Sequence, residues 1–315
     1  ETGAIMAMCN YPDFNPNNYN EVENIEVYNN RAIFEPYEPG SMIKGITMAA
    51  AVDIGGVTPA TTYIDTGTVE ISGFTIHNSD GEAHGLKNMT QVLEESLNTG
   101  AIYAARQIGP DIFKNYFYNF GYGDLTDIRL ETERNGDIKN LSYPNEIFMA
   151  TASYGQGITA TPLQVINSFA AIANQGKLMK PYIVEEIIHP DGRQEKTDPT
   201  MIRQVITNQT AQTLSAMLAS VVKYGHAQRA GVHGYYIAGK TGTAQVADSE
   251  TGKYSIDKSI HSFVGFAPVQ DPKFVMLIKL NHPKSVEFAS SSAAPLFGEI
   301  SQFLLNYLQV PPAYN

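Results

Sequence analysis

The sequence has little cysteine, no tryptophan and a deficit of positive charge. It contains one cysteine, and its 21 Lys and Arg residues are outnumbered by 32 Asp and Glu residues, which gives a formal charge of −11. A single cysteine excludes an intramolecular disulfide and a cysteine-rich metal site. Because Cys9 follows the apolar residues 4–8, we expect a buried, inert thiol. Nucleic acids and anionic membrane surfaces are bound by clustered cations, so we expect no nucleic-acid partner.

Long apolar runs are also missing. No window approaches the run of about 18 apolar residues that a membrane-spanning helix requires. The chain opens on a Thr-Gly turn followed by an apolar stretch, which predicts a strand over residues 1–9 and another strand before it. We therefore expect this chain to be a piece of a longer parent protein.

The hydrophobic pattern changes period along the chain. Helical spacing dominates the middle, residues 57–88 are expected to be loop, and strand patterns return after residue 180. We predict an α+β fold in which an antiparallel sheet is flanked by helices and a mostly helical subdomain is inserted. The α/β core covers about residues 1–50 and 180–315, and the subdomain about 51–179. A final helix carries apolar residues at i, i+3, i+4 spacing, namely Leu296, Ile300, Phe303, Leu304, Tyr307 and Leu308.

The first chemical motif is the S-x-x-K sequence formed by Ser41 and Lys44, at the start of a predicted helix. The i, i+3 spacing places the hydroxyl and the amine on one helix face, within possible hydrogen-bond reach. A serine needs an adjacent base to become a nucleophile, and a desolvated lysine can supply one. Alone, this motif is a weak signal and is more typical of a capping serine beside a surface lysine.

Two further motifs follow in the chain. Ser96 and Asn98 lie in a short break between predicted helices, where they either relay a proton into a cleft or cap a helix. The K-T-G-T sequence, Lys240-Thr241-Gly242-Thr243, lies inside an apolar strand, where a lysine needs a partner and a glycine permits close approach of a substrate. The ordered set S-x-x-K, S-x-N and K-T-G is typical of active-serine enzymes that react with penicillin.

The chain resembles the transpeptidase domain of class B penicillin-binding proteins, the peptidoglycan D,D-transpeptidases of division or elongation. Beyond the three motifs, the similarity covers almost the whole chain: T-G-A-I-M-A-M, P-D-F-N-P-N, N-R-A-I-F-E-P-Y-E-P-G-S, A-S-Y-G-Q-G-I, T-P-L-Q, A-G-K-T-G-T-A-Q and F-V-G-F-A-P. The resemblance implies the penicillin-binding-protein/β-lactamase-like fold and no cofactor. It also implies a parent protein with an N-terminal membrane anchor and a pedestal domain, both absent from this chain.

The resemblance assigns a role to each motif residue. Ser41 would be the acylated nucleophile, Lys44 its base, and Ser96 the shuttle that carries a proton toward the leaving amine. Asn98 would bind the acyl-side chain and steady Lys44, and Lys240 would hold Ser96. In the substrate-binding strand around Gly242, Thr241 and Thr243 would bind the terminal carboxylate of the donor peptide or of a β-lactam. Backbone N–H groups of Ser41 and Thr243 would form the oxyanion hole.

The resemblance also implies a setting. The partners would be peptidoglycan stem peptides, β-lactam antibiotics, a membrane-embedded glycosyltransferase and division or elongation proteins. The site would face the outside of the bacterial cell membrane.

Several alternatives stay open. A D,D-carboxypeptidase or a β-lactamase would use the same acyl chemistry, and a β-lactam-binding sensor would acylate without turning over stem peptides. The segment from Glu94 to Asn98 superficially matches the E-x-x-L-N pattern of class A β-lactamases, but it coincides with the S-x-N motif. A zinc site at His77, Asp80 and His84, with Asp65 upstream, is not expected, because no cysteine lies nearby.

Overall fold

The computed structural model describes residues 1–247, 254–284 and 286–314 of the 315-residue chain. These residues form an α+β fold. Its α-helices are α1 (Arg31–Phe34), α2 (Ile43–Asp53), α3 (Met89–Glu94), α4 (Asn98–Ile108), α5 (Pro110–Asn119), α6 (Glu146–Ser153), α7 (Pro162–Ala173), α8 (Asn208–Tyr224) and α9 (Ala293–Tyr307).

The strands are mostly short and pair locally. They are β1 (Thr62–Asp65), β2 (Thr68–Ile71), β3 (Phe74–His77), β4 (Gly85–Asn88), β5 (Lys177–Met179), β6 (Glu186–Ile188), β7 (Gln194–Lys196), β8 (Met201–Gln204), β9 (Ala238–Ala247), β10 (Tyr254–Ala267) and β11 (Phe274–Asn281). The longest three form an antiparallel sheet in the order β11-β10-β9. The pairs β1-β4, β2-β3, β5-β8 and β6-β7 form two-stranded sheets.

The three-stranded sheet lies between helical layers. Successive residues of β10 contact different layers: His261 bonds to Ser292 at the head of α9, and Ser262 lies 3.5 Å from the hydroxyl of Tyr37. Phe263 packs against Phe297 of α9 with ring centroids 4.5 Å apart. One hydrophobic cluster includes residues of the sheet, of α2 and of the helices between residues 89 and 173. Because this cluster includes residues from both predicted parts of the chain, the helical subdomain at about residues 51–179 stays a prediction.

Several predicted elements agree with the structure. The helix after the Tyr37–Gly40 turn begins as a 3₁₀ turn, Gly40–Met42, and continues as α2. The hydrophobic pattern predicts a helix over about residues 208–224 within the strand-rich part of the chain, and α8 occupies these residues, with Thr207 as its N-cap. None of the helices in the described part of the chain combines the length and apolarity needed to cross a membrane.

The predicted N-terminal strand is wrong. Residues 1–9 make only an isolated parallel bridge, between Ala4 and Tyr182, and do not join the main sheet. Gly3 sits so close to the Lys180 carbonyl that a Cβ there would lie 2.4 Å from the oxygen. Because the segment runs along the surface, Cys9 is exposed, which corrects the expected burial of its thiol.

Two other expectations fail for physical reasons. Residues 57–88, expected to be loop, contain the four short strands β1 to β4: β2 and β3 pair across a short turn, and β1 pairs with β4, which follows them in the chain. In α9, Leu296, Phe303 and Tyr307 of the predicted apolar stripe are exposed. The buried face of α9 consists instead of Ala293, Ala294, Phe297, Gly298, Ser301 and Leu305. At Gly298 a Cβ would lie 2.9 Å from the Arg229 carbonyl, so the close approach of the helix leaves no room for a side chain at that position.

Candidate active site

The turn that carries Ser41 is fixed by backbone contacts. Gly40 has a φ of +57°, in the left-handed region that glycine tolerates, and its N–H donates to the carbonyl of Gly155 at 3.2 Å. A Cβ on Gly155 would lie 2.1 Å from the Gly40 carbonyl oxygen, so only glycine fits there. Ser41 follows at the start of a helix whose next turn buries Lys44.

Strand β9 packs directly against this turn. A Cβ on Gly242 would lie 2.8 Å from the carbonyl of Pro39 and 3.0 Å from Met42 Cγ. The sequence suggested that this glycine admits a substrate. The structure adds a packing reason: any larger residue would push the K-T-G strand away from the serine turn. The first and third motifs are therefore adjacent in space.

The lysine of the first motif bonds to the serine of the second. Lys44 Nζ donates to both the carbonyl and the hydroxyl of Ser96, the latter at 3.2 Å. Ser96 has a φ of +58°, an uncommon conformation for a residue with a side chain. In this conformation both the carbonyl and the hydroxyl of Ser96 contact the amine of Lys44. Lys44 thus donates to Ser96 rather than to the Ser41 hydroxyl that the sequence suggested.

The lysine of the third motif reaches the same hydroxyl. Lys240 Nζ donates to Ser96 Oγ at 2.9 Å, and it lies 3.4 Å from the carbonyl and hydroxyl oxygens of Thr241. Both lysine side chains are buried. The structure therefore brings Ser96, Lys44 and Lys240 into one hydrogen-bonded group beside Ser41.

Burial controls the protonation of these lysines. It lowers the pKa of Lys240 to about 7. Burial, together with the charge of Lys240, lowers the pKa of Lys44 well below that of a free lysine. Within the described residues, neither amine forms an ion pair with a carboxylate. The site can therefore hold a neutral amine near the serine at moderate pH.

Asn98 is placed differently from the expectation. Its side-chain amide donates to the carbonyl of His77 at 2.9 Å, whereas the bonds of Lys44 go to Ser96. The expected contact that would steady Lys44 is thus absent from the described part of the chain. Asn98 instead ties the start of α4 to β3.

A buried polar network that the sequence did not reveal supports the second motif. Asp65 accepts bonds from the Thr99 hydroxyl at 2.7 Å and from the Asn78 side chain at 2.8 Å. Asn78 Oδ1 in turn accepts the backbone N–H of Asn98 at 3.0 Å. The last of these bonds satisfies the first amide group of α4, which has no intrahelical partner, and the other two hold Asn78 and Thr99 in place. Nothing in the local sequence separates these residues from ordinary polar loop residues.

The candidate zinc residues lie in other contacts. Both carboxylate oxygens of Asp65 accept hydrogen bonds, and His84 pairs with Asp80 at 3.0 Å and with Glu95 at 3.1 Å. His77 lies on the exposed strand β3. Across residues 1–247, 254–284 and 286–314, no group of three or more His, Cys, Asp or Glu side chains is arranged to hold a metal ion.

The end of the K-T-G-T segment faces solvent. Thr243 is exposed, and its hydroxyl accepts the backbone N–H of Ala289 at 3.1 Å. Because that amide occupies an acceptor position of the hydroxyl, the hydroxyl proton is available for an acceptor outside the protein. An exposed hydroxyl donor on the strand that carries Lys240 suits the binding of an anionic group.

Comparison with protein families agrees with this geometry. Residues 1–302 match the model described as "Penicillin binding protein transpeptidase domain", and the chain belongs to this family. It is 35% identical over 320 residues to stage V sporulation protein D of Bacillus subtilis, covering 100% of this chain and 49% of that protein. It is 34% identical to the peptidoglycan D,D-transpeptidase FtsI of Buchnera aphidicola, covering 99% of this chain and 53% of that one. The chain thus spans about half the length of these curated relatives.

Solved structures confirm the fold. Penicillin-binding protein 3 of Mycobacterium tuberculosis, complexed with ampicillin, superposes with a TM-score of 0.85 at 31% identity over 91% of this chain and 65% of that chain. The predicted penicillin-binding-protein/β-lactamase-like fold is therefore confirmed.

Proposed function

We propose that this chain is a serine-type peptidoglycan D,D-transpeptidase, which cross-links stem peptides through an acyl-enzyme and is acylated by β-lactams. One observation carries the proposal: the Ser96 hydroxyl is bonded to two buried lysines with lowered pKa, directly beside the turn of Ser41. Membership of the family and the names of the relatives support it.

In the first half-reaction, Ser41 Oγ attacks the carbonyl carbon between the last two residues of a donor stem peptide. Neutral Lys44 takes the serine proton, since its lowered pKa leaves the amine free to accept one. The C–N bond then breaks, and the leaving D-alanine amine receives a proton through the hydroxyl of Ser96. The products are free D-alanine and an ester at Ser41.

In the second half-reaction, an amine of a neighbouring stem attacks the ester carbonyl. The amine gives up a proton to the same group of side chains, and the ester C–O bond breaks. The proton returns to Ser41 Oγ, which restores the free enzyme. Throughout, Lys240 holds the Ser96 hydroxyl. In the first half-reaction, Thr241 and Thr243, with Gly242 between them, bind the donor carboxylate, which leaves with D-alanine. Backbone N–H groups of Ser41 and Thr243 form the oxyanion hole.

Hydrolase alternatives need a base that activates water against the ester. The carboxylates nearest the S-x-N motif in sequence are occupied: Glu95 pairs with Lys87 at 2.6 Å, and Glu94 accepts a bond from Ser220. This favours transfer to an amine over rapid hydrolysis. A β-lactam-binding sensor differs only in failing to turn over stem peptides, so that assay separates the two.

The setting of the whole protein is also a proposal. We infer that a longer parent chain anchors this domain at the outer face of the bacterial membrane. There it works with a membrane-embedded glycosyltransferase and with division or elongation proteins. The length of the relatives, about twice that of this chain, supports the existence of further segments in such a parent.

Intact-mass spectrometry after mixing with benzylpenicillin tests the function. We expect one added drug mass that persists for minutes, no adduct in Ser41→Ala, and slow formation in Lys44→Ala. Lys279→Ala is a matched control, since it removes a mostly buried lysine outside the proposed machinery. Rapid release of penicilloate would instead indicate a β-lactamase, and no adduct would refute the active-serine assignment.

A parallel assay with a D-Ala-D-Ala stem peptide and an amine acceptor separates the remaining candidates. We expect a cross-linked product. Hydrolysis alone would indicate a carboxypeptidase, and no turnover by a protein that acylates with penicillin would indicate a sensor.

A further inference from the structure

His261 is a buried histidine that the proposed mechanism does not use. It lies on β10 directly opposite Thr243 of β9, so both side chains project from the same face of the sheet. Its ring contacts two hydroxyl groups: Nδ1 lies 2.8 Å from Ser292 Oγ, and Nε2 lies 3.0 Å from Ser259 Oγ. The ring thus links the sheet to the segment at the head of α9.

That segment contacts the substrate-binding strand directly. A 3₁₀ turn, Ala289–Ser291, precedes α9, and the backbone N–H of Ala289 donates to Thr243 Oγ1 at 3.1 Å. The Ser292 hydroxyl donates back to the carbonyl of Phe288. A chain of contacts therefore runs from His261 through Ser292 and the turn to the exposed hydroxyl of Thr243.

The environment of the ring favours its neutral form. Burial lowers the pKa of His261, although a hydrogen bond with the backbone of Glu287 opposes this. A neutral imidazole has one donor and one acceptor nitrogen, and hydroxyls can match either. The ring is thus suited to a fixed structural link.

We propose that His261 is a positioning residue for carboxylate recognition: it holds residues 287–292 so that the Ala289 amide fixes the Thr243 hydroxyl toward the substrate. This inference rests on the proposed function, in which Thr243 binds the carboxylate of the donor peptide or of a β-lactam. The Ala289 amide fills one acceptor position of the hydroxyl and so directs its proton outward. If the turn shifts, the hydroxyl can rotate and the carboxylate loses an oriented donor.

The test compares benzylpenicillin with its methyl ester, which lacks the carboxylate but keeps the reactive ring. The second-order rate of acylation is measured for the parent, His261→Leu, Thr243→Val and the double variant. We expect His261→Leu to slow acylation by the acid about tenfold and by the ester much less, the size expected when an oriented hydrogen bond to a charged group is lost. Because both substitutions act on one contact, the double variant should be little slower than Thr243→Val.

A merely structural role gives other results. Equal losses for acid and ester, or losses that multiply in the double variant, would overturn the inference. His261→Gln, which keeps a donor and an acceptor, should recover most of the rate, and the exposed His233→Leu serves as the control. If His261→Leu does not fold, Ser292→Ala breaks the same link without emptying the core and must show the same preference for the acid. A parent without any adduct overturns the proposed function and this inference together.

Discussion

The two edge strands of the three-stranded sheet each carry a lysine, and the two lysines differ in their partners. Lys240 on β9 is buried and donates to the Ser96 hydroxyl, with Lys44 as its neighbour. Lys279 on β11 is mostly buried, pairs with Glu35 at 3.0 Å and lies 4.8 Å from the ring centroid of Tyr37. Burial lowers the pKa of both.

The difference lies in what opposes burial. At Lys279 the carboxylate of Glu35 raises the pKa against the effect of burial, so the amine stays a partner in an ion pair. At Lys240 nothing comparable opposes burial, and its pKa falls to about 7. Lysines on one sheet thus become a structural cation or a candidate proton carrier according to whether a carboxylate is within reach.

The largest loss of acylation rate is expected for Lys44→Ala, which removes the amine next to Lys240. Removal of the proposed base should slow acylation by benzylpenicillin by about 10²- to 10⁴-fold, whereas Lys279→Ala should change it less than about threefold. Stopped-flow kinetics with a chromogenic β-lactam measures both rates. Similar rates for Lys44→Ala and the parent would place the base elsewhere.

A second test uses the charge of Lys240. Its charge lowers the pKa of Lys44, so Lys240→Met should raise that pKa. Because the neutral amine is the proposed base, acylation should rise with pH through the Lys44 pKa, and this rising limb should move to higher pH in the variant. We also expect a rate loss of about 10- to 100-fold at neutral pH. The pH–rate profile measures both effects.

Lys240→Arg and Lys279→Met are the controls for that profile. Arginine keeps a positive charge, so the rising limb should not move to higher pH. Lys279→Met removes a lysine that is not among the charges acting on Lys44, and it should leave the profile in place. An unmoved limb in Lys240→Met would mean that the two lysines do not influence each other.

The sequence predicted the motifs because their chemistry is local. Ser41 and Lys44 share a helix face through i, i+3 spacing, and the order of the three motifs indicated the family before any contact was known. The sequence did not predict that Lys44 would bond to Ser96, since that contact spans 52 residues and depends on a left-handed Ser96. Long-range contacts of this kind leave no periodic pattern.

The fold was predicted where amphipathic spacing and burial coincide, as in α8, and missed where backbone packing decides. The predicted apolar stripe of α9 is partly exposed, because the helix packs through a different face, where Phe297 is buried and Gly298 comes close to the Arg229 carbonyl. The strands β1 to β4 are four residues each, too short for an alternating pattern to emerge. The sequence indicated Asp65 only as a candidate zinc ligand and gave no signal at Asn78, because the role of both residues depends on contacts with α4, which lies 20 to 34 residues further along the chain.

A third test disturbs the candidate site without changing either lysine. Asp65→Asn replaces an acceptor of four hydrogen bonds by an amide, so its NH₂ group would face donors. We expect the free energy of unfolding to fall by about 1–3 kcal/mol and acylation to slow several-fold as Ser96 loses its fixed backbone. Asp198→Asn, at an exposed position, is the control in thermal unfolding. Equal melting temperatures would show that the network does not support α4.

The smallest effect should come from Glu35→Gln, which removes the carboxylate partner of Lys279. This change leaves Lys279 partly buried without its carboxylate, and Glu35 is itself 42% exposed, so the loss in unfolding free energy should be at most about 1 kcal/mol. Without Glu35 the pKa of Lys279 falls further below that of the unfolded chain. The unfolded chain then binds more protons, so the loss is greatest near neutral pH and fades as the pH rises toward the ordinary lysine pKa. Melting temperatures of parent and variant, measured across that range, should converge while acylation stays at the parent rate. A gap that widens with pH would mean that the Glu35 carboxylate does not keep Lys279 charged.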